Sequence, residues 1–149
     1  MSNVKLVVLT VESVIKMQGE EDQAMELITE GKFYDKAGSR YFIYQESQIS
    51  GMEGDKTMLK LSQEKVVMHR YGEHNSELSF EENKRYESDY NTPYGPFKME
   101  VLASKVICEV DGNGAGFIEL KYEMSIKGIG KTKTTMKITS RAVGSEQDA

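Results

Sequence analysis

From Met25 to Phe33 the side chains alternate. Met25, Leu27, Thr29, Gly31 and Phe33 fall on one side, and Glu26, Glu30 and Lys32 on the other. A period of two is that of a strand with one face buried. The same period returns along the chain. Thr57, Leu59 and Leu61 oppose Lys56 and Lys60. Ser76, Leu78 and Phe80 oppose Glu77 and Ser79. Phe97, Met99 and Val101 oppose Lys98 and Glu100. Ile118, Leu120, Tyr122, Met124 and Ile126 oppose Glu119, Lys121, Glu123 and Lys127, and Thr132, Thr134, Met136 and Ile138 oppose Lys131, Lys133 and Lys137. Residues 4–15 are rich in β-branched side chains and apolar in both phases, so one end of that strand is expected to be covered on both faces. Residues 40–45 form an aromatic strand and 84–90 another. Val106, Cys108 and Val110 read as a strand of their own. Residues 65–71 leave their phase open: either Val66, Met68 and Arg70 point inward, or Val67, His69 and Tyr71 do.

Turn signals separate these runs. Ala37-Gly38-Ser39, Gly72 to Asn75 and Gly128-Ile129-Gly130 are short, and Asp111-Gly112-Asn113-Gly114-Ala115-Gly116 is the plainest hairpin. Two corners are longer. One runs from Glu46 to Thr57, with Gly51 and Gly54 inside it; the other runs from Tyr90 to Pro96 and holds both prolines of the chain. The pattern predicts ten or eleven strands and no helix. Short connections make neighbours antiparallel, and one apolar face per strand makes a single shared core. The expected fold is all-β, a single antiparallel β-barrel of about ten strands, because closure removes the edges so many strands would expose. A two-sheet sandwich is the alternative. The barrel domain is expected over residues 1–142, with a frayed tail over 143–149.

The totals narrow the function classes. A chain of 149 residues can bury a core without staples. Its net charge of −5 argues against nucleic acid or an anionic membrane as partner, since both need clustered Lys and Arg. Cys108 is the one cysteine, so no internal disulfide can form. The apolar run 4–11 is too short to span a bilayer and lacks a cleavage site behind it. A cytoplasmic protein is therefore expected.

Several stretches look chemical. Gly130-Lys131-Thr132 resembles the end of a phosphate-binding loop, but Ser125 stands where the first glycine is needed and a strand pattern follows instead of a helix. Asp111-Gly112-Asn113-Gly114 resembles a calcium loop, but Leu120 stands at the twelfth position, where a bidentate glutamate is required. His69 and His74, with Glu73 and Glu77, are too few and too loosely spaced for a metal site. Cys108 lies on an apolar strand face and suits an inert buried thiol. No cofactor, no metal and no nucleophile–base set is expected, and hence no enzyme. Met25, Met99, Met124 and Met136 all fall on inward faces, where methionine fills a core or lines an adaptable wall. Arg70, if it points inward, must be paired, and Glu46 or Glu53 could supply the carboxylate.

The two corners carry a resemblance. Glu46-Ser47-Gln48-Ile49-Ser50-Gly51-Met52-Glu53-Gly54 with Thr57 and Leu59, then Arg70 and Gly72, then Ser76, Leu78 and Phe80, then Thr92-Pro93-Tyr94-Gly95, resembles the signature of the YwiB-like family of small bacterial proteins. The resemblance runs from about Val4 to Ile138. It implies a calycin-like (lipocalin-like) β-barrel in the cytoplasm, mainly of Gram-positive bacteria, with no established biochemical role. Calycin-like folds take ligands where long loops close the barrel mouth. A small apolar or amphipathic ligand is therefore expected in or at the mouth, touching Glu46, Met52, Glu53, Thr57, Arg70, Tyr90, Thr92 and Tyr94. The corners at 46–57 and 92–95 should then lie together at one end, near Arg70. The alternative is an interaction module with a filled barrel and no ligand, docking a protein partner or pairing as a homodimer.

Overall fold

The computed structural model describes residues 4–45, 55–72, 75–92, 95–128 and 130–143, with the backbone alone at 90–92. Ten strands follow one another: β1 (Val4–Met17), β2 (Gln23–Lys36), β3 (Ser39–Gln45), β4 (Lys56–Leu61), β5 (Val66–Tyr71), β6 (Ser76–Phe80), β7 (Arg85–Thr92), β8 (Gly95–Val110), β9 (Gly116–Ile126) and β10 (Gly130–Ala142). They form one sheet in the order β6-β5-β4-β3-β2-β1-β10-β9-β8-β7, and each ladder is antiparallel. Sheet neighbours are thus chain neighbours except where β1 meets β10. That single non-local ladder turns a meander into a nearly closed barrel. β6 and β7 end the order and face each other, and no ladder joins them among the described residues. Contacts at the β6–β7 turn tie one end of this seam, and a cleft of about 140 Å³ lined by Leu78, Ser79, Tyr86 and Val101 lies along it. The Tyr86 hydroxyl donates to Glu81 Oε1 at 2.6 Å, and Glu82 makes an isolated bridge to Ala103.

Every expected inward face with a stated phase is the inward face. Val66 and Met68 on β5 are buried to 0% and 1% exposure, which resolves the open phase and turns Arg70 inward with them. Two expectations change. Val106, Cys108 and Val110 belong to the same strand as Phe97, Met99 and Val101. A bulge between Ala103 and Lys105 inserts one residue, so the inward positions pass from odd to even numbers and mimic a new strand. And β1 is not covered on both faces: Val4 and Leu6 stand 55% exposed while Val7 and Leu9 are fully buried.

Aromatic rings fill the interior at the end where β2 turns into β3 and β8 into β9. The Phe33 and Phe42 rings pack at 5.2 Å and 50°. Gly114, at the hairpin tip, lies so close over Phe33 that a Cβ there would sit 2.8 Å from the ring. Its φ of +87° also favours glycine. Asp111 shapes this hairpin. Its Oδ1 accepts from the backbone N–H of Asn113 at 2.8 Å and of Ala115 at 3.0 Å. Those bonds hold its carboxyl below the usual carboxylate range. The Ser140 hydroxyl donates to the Gly114 carbonyl, Lys5 Nζ to Asn113 Oδ1 at 3.1 Å, and Arg40 Nη1 to the Val110 carbonyl. The hairpin is a plug tied down from three other strands.

Candidate functional site

Successive strands run in opposite directions, so the connections fall alternately at the two ends. The plugged end takes β2–β3, β4–β5, β6–β7 and β8–β9. The other end takes β1–β2, β3–β4, β5–β6, β7–β8 and β9–β10. Arg70 is one residue from the end of β5, at this second end. In the ladders it lies opposite Thr57 of β4 on one side and Ser76 of β6 on the other, and Thr57 in turn lies opposite Tyr44 of β3. Partners in register share a face. Four inward polar side chains on four adjacent strands therefore make a row. Thr57 is fully buried, Tyr44 nearly so, and Nε of Arg70 is closed off from solvent.

The row faces Tyr122 on β9. Tyr122 is buried against Phe80, with ring centroids 4.6 Å apart. Burial pushes its phenol pKa up, while the Arg70 charge and a hydrogen bond with Thr134 oppose that shift. Thr134 lies opposite Tyr122 in the β9–β10 ladder and is itself buried. Arg70 thus looks into a protein interior furnished with hydroxyls. Asp55, just ahead of β4, is 2% exposed and shares the inward face of Thr57. It packs so closely on Gly72 that a Cβ on Gly72 would sit 2.2 Å from Asp55 Oδ1. The φ of +133° at Gly72 and its N–H bond to Asn75 Oδ1 at 3.0 Å complete that corner.

Around this polar group the wall is apolar. Met25, Phe97, Met124 and Ile126 all point inward near the same end and remain only partly buried, with Met99 and Met136 buried deeper. Methionine side chains are flexible and polarisable, so such a wall adapts to what it touches.

Of the eight residues expected at the mouth, the structure brings Thr57 and Arg70 together inside the barrel. Tyr90 and Thr92 lie at the same end on β7, paired with Phe97 and Gly95. Glu46, Met52, Glu53 and Tyr94 lie outside the described residues, as do residues 144–149 of the tail expected over 143–149, while Val143, at its start, donates its backbone N–H to the Leu6 carbonyl at 3.1 Å. Tyr122, Thr134 and Asp55 were not foreseen as members. The period had turned Tyr122 and Thr134 inward, but only the sheet register sets them across from Arg70.

The remaining chemical stretches resolve into structure. Gly130 opens β10, and a strand follows it. Asp111 spends its carboxylate on the hairpin backbone. His69 points outward, stacked on Tyr71 at 5.0 Å and 3.6 Å from Glu77. No group of three metal-ligating side chains gathers among the described residues. Burial pushes the Cys108 thiol pKa up. A groove of about 740 Å³ beside the β9–β10 turn is walled by Glu87, Lys98, Glu100, Lys127 and Lys131, and does not reach Arg70. Among the described residues no helix is long and apolar enough to cross a membrane.

The family described as a domain of unknown function (DUF1934) matches residues 9–138. The chain belongs to the DUF1934 family. That match spans nearly every strand of the barrel, including the row around Arg70. The crystal structure of the ywiB protein from Bacillus subtilis has the same fold, with a TM-score of 0.80 over 93% of this chain and 92% of that one, at 22% identity. The resemblance to YwiB-like proteins read at the corners therefore holds for the whole barrel. A search of curated proteins gives no match.

Proposed function

We propose that this DUF1934 chain is a binding protein, non-catalytic and working in the cytoplasm, which takes a small apolar or amphipathic molecule at the Arg70 end of its barrel. The observation that carries this reading is the contrast inside the barrel. One end is capped by the tied hairpin over Phe33 and Phe42, with a recess of about 530 Å³ lined by Arg40, Leu61, Cys108 and Val110 beside it. The other keeps inward Met, Ile and Phe side chains partly exposed around an inward arginine. An arginine inside a barrel is costly to bury for packing alone. Beside adaptable apolar walls it suits a molecule with a polar head and an apolar body. Glu46, Met52, Glu53, Tyr90, Thr92 and Tyr94 would complete the rim.

Native mass spectrometry of freshly purified protein tests the reading. A retained adduct of small-molecule mass, removable by mild organic extraction, is the expected result. A bare chain mass in every preparation would count against it and favour an interaction module.

A further inference from the structure

The outward positions of a barrel in water should be polar, and on β9 and β10 all but Phe117, which lies under Lys137, are. Lys131 and Lys133 reach Glu123 at 3.8 and 3.7 Å, and Lys105 reaches Glu119 at 3.6 Å. The outward positions of β1 to β5 break the rule. Across the ladders, one row reads Val4, Tyr34, Tyr41, Lys60, Val67. The next reads Leu6, Lys32, Ile43, Met58, His69. Leu6 stands 55% exposed and Ile28 63%. Both line one shallow depression of about 680 Å³, together with Glu30, Lys32, Ile43 and Lys56. Beside it the Tyr34 and Tyr41 rings stack at 4.8 Å and 13°. Contiguous apolar surface of this kind marks an interaction site, and stacked aromatics present rigid contact area with little entropy left to lose.

We propose that the outer face of β1–β5 is where two copies of this chain meet. The charge pattern selects that occupant. The chain carries −5 overall, so most of its surface repels a copy of itself. This face differs: Glu26 and Glu30 stand on β2 and Lys56 and Lys60 on β4, so both signs are present on different strands of the same face. A two-fold axis lays the same patch against itself, which sets lysines of one copy near glutamates of the other. The band covers five strands about 4.8 Å apart and about six residues of strand, roughly 1,000 Å² or less for the two copies together, the size of a weak, transient interface. The dimer should therefore form reversibly. This inference goes beyond ligand binding and stands whether or not the barrel holds a molecule.

Sedimentation velocity on the full chain tests it, from about 1 µM to about 1 mM, the range where an interface of this size associates. The expected result is a rise in mass from one copy toward two. Ile28→Glu and Leu6→Glu, both at exposed positions, should each raise the dissociation constant about tenfold or more, as loss of an interface anchor does. Thr135→Glu on the β10 outer face should leave it unchanged, and circular dichroism should show all three variants folded. A single copy at every concentration would overturn the proposal, as would a dimer indifferent to both substitutions. Capture of a single-copy chain by anionic phospholipid vesicles would give the face to a membrane and overturn it equally.

Discussion

The two ends of the barrel are built from the same alternating strands and reach opposite outcomes. At the plugged end Phe33, Phe42, Leu9 and Val7 are 0–1% exposed, and a glycine-tipped hairpin lies across them, to which the one arginine on that end's inward phase, Arg40, is tied through the Val110 carbonyl. At the other end the inward residues are Tyr44, Thr57, Arg70, Tyr122 and Thr134, walled by methionines. Hydrophobic burial accounts for the first end. It does not account for the second, where desolvating a guanidinium opposes folding. A barrel that needed only stability would repeat the plug at both ends.

Substitutions sharpen that contrast. The largest effect should come from the plug. Phe33→Ala leaves a cavity beneath Gly114 and should cost about 3–5 kcal/mol in denaturant unfolding. A loss near that of a surface change would mean the plug is dispensable. Arg70→Met comes next. It removes a charge from a face it shares with the buried Asp55, and since Arg70 is half-buried, the loss should fall between the exposed and buried limits for ion pairs, about 1–3 kcal/mol. A gain in stability with the fold intact would be the sign of an arginine kept for function rather than packing. Gly72→Ala forces a Cβ against Asp55 at a positive φ and should cost about 1–3 kcal/mol. Equal stability would mean that Asp55 can leave its place freely.

The smallest effect concerns Tyr122. Tyr122→Phe removes the hydroxyl bonded to Thr134 and should cost about 1 kcal/mol. Its pH signature is more specific. The folded-state pKa is raised above the unfolded value. The neutral phenol therefore contributes stability that is fully present below pH 10, the ordinary tyrosine value, and is lost as pH rises toward the folded pKa. Alkaline unfolding should begin above that point in the wild type, and Tyr122→Phe should flatten its onset. An identical alkaline limb in both proteins would show that Tyr122 is not held in the interior.

Much of this architecture was legible as a period of two. The inward faces of β2, β4, β6, β9 and β10 follow directly from alternation, because each opposes apolar to charged side chains. Where both phases are apolar the period is silent. Residues 66–71 offer Val66 and Met68 against Val67 and Tyr71, and only the ladders with β4 and β6 decide between them. The β8 bulge defeats the period differently, since one inserted residue reverses the phase within an unbroken strand. The polar row inside the barrel is further from reach. Thr57 and Arg70 were singled out along the chain, but the approach of Tyr122 and Thr134 depends on strands distant in sequence, and register between such strands is not written in either one. The exposed Leu6 was misread for a related reason: an apolar residue in the outward phase looks the same whether sheet, partner or water lies beyond it.

The central claim is that the Arg70 end is the receptive end, and the methionine methyl groups report on it directly. Met25, Met99, Met124 and Met136 point into the barrel interior, whereas Met58 lies on the outer face, opposite outward Ile43 and His69. Methyl-labelled protein titrated with anilinonaphthalene sulfonate, an apolar dye with an anionic head, should show saturable shifts at Met25, Met99 and Met124, with Met58 unmoved. The same titration on Arg70→Met should need a higher dye concentration. Shifts confined to Met58, or none at any inward methionine, would contradict the account.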